Sequence, residues 1–169
     1  FALPCAAIAL SVLAAQAADA PHLGRVATPQ EIVRGDLIIS PEGDNLPAGS
    51  GSVSDGAMVF AQKCVACHGT AGEGGPMDRL TGGMGTIGTD DPVKTVSSYW
   101  PYATTLFDYV RRAMPANAPQ SLTNDEVYAV TAYLLSIDGI VDDNAVMNAD
   151  TLPLVEMPNR DGFIPSASN

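Results

Sequence analysis

Basic side chains are scarce in this chain: eight Lys and Arg stand against nineteen Asp and Glu among 169 residues, a formal net charge of −11 at pH 7. That balance disfavours nucleic acid and anionic membrane surfaces as partners and favours a basic docking patch on a partner protein. Histidine occurs twice and cysteine three times, so a four-ligand zinc site would have to recruit His22 or Cys5 from far away in the sequence. No βαβ pattern flanks the cysteines, which argues against a thioredoxin-like dithiol. Long apolar runs are missing after the first fifteen residues, and Phe1 to Ala15 is too short to span about 30 Å of hydrocarbon at about 1.5 Å per residue. Internal repeats are absent.

The uncharged start followed by Ala15-Gln16-Ala17 has the small-x-small pattern of a secretory leader without its basic beginning, with cleavage expected after Ala17. Residues 1–17 carry Cys5 and no charged side chain, so the mature chain keeps two cysteines and the full net charge. Export places the chain in the bacterial periplasm, as a soluble protein.

Those two cysteines lie in Cys64-Val65-Ala66-Cys67-His68, the C-x-x-C-H arrangement of covalent c-type haem attachment. Two thiols one helical turn apart can each form a thioether to a porphyrin vinyl group, and His68 is then the proximal iron ligand. With no second C-x-x-C-H in the chain, one covalent haem c is expected, and a fixed haem implies redox work.

Residues 18–53 read as an N-terminal arm, polar and rich in Gly and Pro. Within it, Thr28-Pro29-Gln30-Glu31 predicts a short helix ending near Gly35. A compact domain is expected over 54–139, starting from Ser54 as N-cap, with Gly56 and Phe60 on one helix face. Residues 69–91 hold eight glycines and predict a long irregular loop that encloses something. Thr104 or Thr105 is expected to cap a helix with Leu106, Val110 and Ala113 along one stripe, stopping before Pro115. Thr123-Asn124-Asp125-Glu126 is a capping box for a last helix with Val127, Val130, Leu134 and Ile137 on one face and Gly139 as its stop. Residues 140–169 read as an extended tail on the core. The fold class is all-α, in a unit small enough that a stapled prosthetic group matters to its stability.

A low-spin carrier needs a second axial ligand, and the candidates are Met58, Met77, Met84, Met114, Met147, Met157 and His22. Met58 is too close to Cys64 on one helix to reach the opposite haem face. Met114 ends a helix before Pro115, where the chain can fold over the distal face without losing helix hydrogen bonds, and it is the expected ligand. Pro76, in Gly74-Gly75-Pro76, is expected to offer its carbonyl to the other ring nitrogen of His68. Tyr99, Trp100 and Tyr102 are expected beside the haem edge or its propionates, with Arg79, Arg111 and Arg112 as candidate counter-charges.

Taken together, Gly56-x-x-x-Phe60, the C-x-x-C-H motif, Gly75-Pro76-x-x-x-Leu80, Met114-Pro115 and Ala132-Tyr133-Leu134 resemble class I cytochromes c. The segment from Ser98-Tyr99-Trp100-Pro101-Tyr102 to Ala113-Met114-Pro115 is narrower in its likeness. So are Pro119 to Thr123, Glu126 to Ala129, Met157-Pro158-Asn159-Arg160-Asp161-Gly162 and the arm around Ala27 to Ile32. These are similar to the haem subunits of periplasmic sulfite dehydrogenases and to the related cytochrome subunit of sulfur dehydrogenase. The resemblance implies His68 and Met114 as axial ligands and a separate molybdenum sulfite dehydrogenase subunit as electron donor. A downstream cytochrome or oxidase is the implied acceptor. Other outcomes consistent with the residues are a carrier for another periplasmic dehydrogenase, or a haem enzyme whose sixth position is open.

Overall fold

The computed structural model describes residues 24–164. Contacts divide the chain into two units, one ending at Asp36 and the other beginning at Leu37. The expected leader, with Cys5, and His22 lie outside the described residues.

In the first unit, helix α1 spans Pro29–Gly35 behind the predicted capping box, with Thr28 and Glu31 exchanging side-chain to backbone bonds. Glu31 also pairs with Arg25, and that side-chain bond, ahead of those from Thr28, draws its carboxyl down to about 2.

The second unit contains strand β1 (Ser50–Ser52), helices α2 (Val53–Lys63), α3 (Val65–His68), α4 (Val96–Tyr99), α5 (Ala103–Ala113) and α6 (Asn124–Ile137), then strand β2 (Val146–Asn148) and a 3-10 turn at Leu152–Leu154. The all-α expectation is met apart from a two-stranded antiparallel ribbon in which Gly51 faces Met147. The unit also reaches further toward the N-terminus than the predicted boundary at residue 54. Ile39 is buried in the core, and its N–H donates to the Asp108 carboxylate at 3.2 Å. Residues 37–53 pair with this fold because their backbone groups find partners there, which their polar composition does not reveal.

Two helix starts differ from the sequence expectation for identifiable reasons. Ribbon pairing holds Ser52 extended, so Ser52 rather than Ser54 caps α2, accepting the Asp55 N–H at 3.1 Å. Helix α5 begins at Ala103 with Tyr102 at the cap position and no side-chain cap, so Thr104 lies inside the helix, where its hydroxyl donates to the Pro41 carbonyl at 2.9 Å. Helix α6 has its predicted box at Thr123 and Glu126, and Gly139, at φ +70°, turns the chain after it.

The core is built where α2 and α5 meet α6. Phe107 and Tyr128 stack with centroids 4.4 Å apart, Phe60 packs against Tyr133 at 5.3 Å, and Leu135 and Leu152 are fully buried. Gly51 and Gly56 both lie against Ala129, where any added methyl would collide with α6 backbone. Beyond α6, Met147, Leu152, Val155 and Met157 are buried. No helix among the described residues is long and apolar enough to cross a membrane.

One ion pair joins the first and last helices of the haem-motif scaffold: Lys63 Nζ donates to Glu126 at 2.7 Å. This bond, followed by the Thr123 backbone N–H, lowers the Glu126 carboxyl. A depressed carboxyl contributes stability above the unfolded-state value, and the contribution is lost as pH falls through the lowered folded value. Glu126→Gln is therefore expected to cost about 0.5–1 kcal/mol at neutral pH. The gap from the parent should close in strong acid, where both side chains are neutral, as read by denaturant unfolding at the two pH values.

Candidate functional site

Helix α2 ends at Cys64, whose φ of −122° breaks the helix before the single turn of α3. The Cys64 carbonyl then accepts both the Cys67 and His68 N–H groups at 3.0 Å, so the two thiols lie one turn apart on a hydrogen-bonded scaffold. Both are free. Burial pushes the Cys64 thiol up to about 11, the reverse of the depressed values that activate redox dithiols and metal-binding thiolates.

The glycine loop folds back on the motif. Gly74 N–H donates to the His68 carbonyl at 2.8 Å, and Met77 N–H to the Cys67 carbonyl at 3.0 Å. Gly69 sits at φ +83°, where a Cβ would meet the Gly74 carbonyl at 2.6 Å. Thr95 and Ser98, the latter on α4, close a third capping box, Val96 N–H donates to the Leu80 carbonyl at 3.0 Å, and Asp138 accepts from Gly82 N–H and from the Ser97 hydroxyl. The loop is irregular as predicted, yet tied at both ends to helices.

The His68 ring has Nδ1 2.8 Å from the carbonyl of Asp78. A carbonyl only accepts, so Nδ1 carries the proton and Nε2 keeps the lone pair a metal needs. The orienting carbonyl is thus that of Asp78 and not, as expected, that of Pro76. Gly75 N–H donates to Met77 at 3.0 Å, a tight turn with Pro76 exposed at its tip, and the chain advances two residues before a carbonyl faces the ring. Nothing in the residue pattern marks Asp78, because the contact is made by backbone.

The methionines separate by environment. Met147 and Met157 are core residues, while Met58, Met77 and Met84 are exposed. Met114 is the half-buried one, packed at the margin of the core. It stands at the C-terminal cap of α5 in extended backbone, its N–H donating to Val110, and precedes Pro115 across a cis peptide bond.

The aromatic segment engages the C-terminal tail. Tyr99 meets Phe163 edge-on at 5.2 Å, its carbonyl accepts from Asn159 Nδ2 at 2.7 Å, and Tyr102 carries the Arg160 guanidinium 4.3 Å from its centroid. Trp100 is edge-on to Tyr109 at 5.6 Å. Of the candidate counter-charges, Arg112 is already paired with Asp108, Arg79 leans toward the Glu73 carbonyl, and Arg111 is half-buried on α5. Arg160 was not among the sequence candidates; the one sign of it was its place in the Met157–Gly162 segment.

The donor set fits a covalently held porphyrin. It comprises two unpaired thiols on one turn, an imidazole with Nε2 available, and a loop fastened around the motif. A chain built this way can tether a macrocycle through Cys64 and Cys67 and offer His68 Nε2 to its iron.

The family model for cytochrome c matches residues 53–138. No curated protein matches the chain. Among solved structures, one chain in the crystal structure of the sulfane dehydrogenase SoxCD from Paracoccus pantotrophus is similar at 42% identity with a TM-score of 0.81. The match covers 88% of this chain and 73% of that one.

Proposed function

The chain belongs to the cytochrome c family, and from that premise we propose that it is a monohaem electron carrier of the bacterial periplasm. It takes single electrons from a molybdenum sulfite dehydrogenase and delivers them to a downstream cytochrome or oxidase. The observation that carries the reading is the extent of similarity to SoxCD: 88% of the chain aligns, well beyond the 86 residues, 53 to 138, of the family pattern. The likeness therefore includes segments outside the haem motif and its helices.

Bound haem supplies a one-electron couple at its iron. Cys64 and Cys67 tether the group, and His68 presents Nε2 because Asp78 holds Nδ1. Met114 presents its thioether from the end of α5, and a sulfur ligand favours the reduced metal relative to a second imidazole. If His68 and Met114 both held the iron, it would offer no position to substrate and would serve electron exchange alone. The acidic surface then orients the chain toward a basic partner and makes encounter rates salt-sensitive.

The test is co-purification with a candidate molybdenum subunit, followed by addition of sulfite and, separately, thiosulfate. Sulfite-driven reduction of the haem, slowed by added salt, is expected. Reduction by thiosulfate alone would move the donor to the sulfur dehydrogenase branch, and no reduction by either would remove the assignment.

A further inference from the structure

Helix α1 is fixed by its own polar residues and leaves its apolar side chains in solvent. Thr28 and Glu31 close the capping box, and Arg25 pairs with the Glu31 carboxylate. Val26, just before the cap, is 92% exposed, and Ile32, on the helix, is 59% exposed. Seven residues are too few for a helix to hold in water on propensity and capping alone; helices of this length draw their stability from burial of an apolar face. The exposures of Val26 and Ile32 show that the described chain supplies little of that burial.

Charge also sets this arm apart. Residues 24–36 hold Arg25 and Arg34 against Glu31 and Asp36 and are neutral, whereas residues 37–169 hold sixteen acidic and six basic residues, a formal charge of −10. The similarity to one chain of SoxCD bears on the same segment. It covers 88% of this chain, about 149 of 169 residues. A span of that length ending at or before residue 169 starts no later than residue 21, so it contains α1. An exposed apolar helix held in common with a chain of a dehydrogenase points to a dehydrogenase as what covers it.

We propose that α1, through Val26 and Ile32, is a docking element that seats in an apolar groove of the donor dehydrogenase subunit, as an amphipathic helix laid in a groove. The inference rests on the donor reading given above. The two parts of the chain then contribute differently to the complex. The acidic body steers encounter and makes the association rate salt-sensitive. The neutral arm adds apolar contact that salt does not screen, and it slows dissociation.

The test is a biosensor measurement of full-length holoprotein on the candidate molybdenum subunit at low and high salt, with haem content and melting measured first. Val26→Ser combined with Ile32→Ser is expected to raise the dissociation rate and Kd about tenfold, equal to about 1.4 kcal/mol. The factor should be the same at both salt concentrations, and melting should not change. Leu154→Ser, which alters an apolar side chain 77% exposed outside the arm, should bind as the parent does. Unchanged dissociation in the double variant, an equal loss in Leu154→Ser, or a loss confined to low salt overturns the proposal while leaving the carrier intact. So does a lowered melting temperature in the double variant, which would mean that this chain itself covers the arm. A dimer formed by the parent and not by the double variant would assign the face to a second copy and has the same effect. A parent that neither binds the molybdenum subunit nor takes its electrons overturns both readings.

Discussion

Gly56→Ala is expected to destabilise the compact unit by about 3 kcal/mol or more, at the upper end of what overpacking costs. The Cβ built on Gly56 stands 1.9 Å from the Ala129 carbonyl oxygen and 2.7 Å from Tyr133 Cβ. The obstacle is backbone, so no rotamer change relieves it. Helices α2 and α6 would have to separate, and with them the Phe60 and Tyr133 rings. Against a typical total of about 5–15 kcal/mol, such a loss is large, and the midpoint of thermal unfolding should fall on the order of 10 °C. Gly88→Ala provides the contrast, since nothing lies within 4 Å of its added methyl and its φ is not left-handed. That variant should be neutral or stabilised by about 0.4–1 kcal/mol. Equal melting curves for the two variants would show that the helix crossing does not depend on close approach.

Met114→Ala should be the substitution most damaging to redox function. On the proposed ligation, loss of the thioether would leave the iron to water or a foreign ligand. The far-red absorption of a sulfur-ligated ferric haem should then disappear, and the midpoint potential should drop on the order of 0.1–0.3 V, within the ~0.8 V that axial ligands span. Folding should suffer less than in Gly56→Ala, because Met114 is only half-buried. Met77→Ala and Met84→Ala, which alter exposed side chains in the glycine loop, should leave the band in place. If the band survives in Met114→Ala and vanishes in one of these, the sulfur comes from the loop and α5 has another task.

What the residue pattern made legible was local. The boxes at Thr28 and Thr123, the shared face of Gly56 and Phe60 and the irregular course of residues 69–91 all follow from spacing and turn chemistry. What it missed depends on partners distant in sequence. Ser52 replaces Ser54 as a cap because a strand distant in sequence fixes its backbone, Ser52 facing Val146 in the ribbon. Thr104 falls inside α5 rather than at its cap, and its hydroxyl reaches Pro41. The His68 partner shifted from Pro76 to Asp78 because a carbonyl's direction is set by the turn, not by the identity of the residue bearing it. The same holds for Asn159 and Arg160, whose partners Tyr99 and Tyr102 are distant in sequence.

Helix α5 is held by chain from both termini. Asp108 accepts from Ile39 N–H, and Thr104 donates to Pro41, while the tail reaches the residues that open the helix through Asn159 and Arg160. Both attachments lie outside residues 53–138, the stretch the family pattern covers. That stretch is consequently a signature embedded in a wider cooperative body, and an excised copy of it would carry the haem-binding turn while leaving the element that bears Met114 without its outer braces.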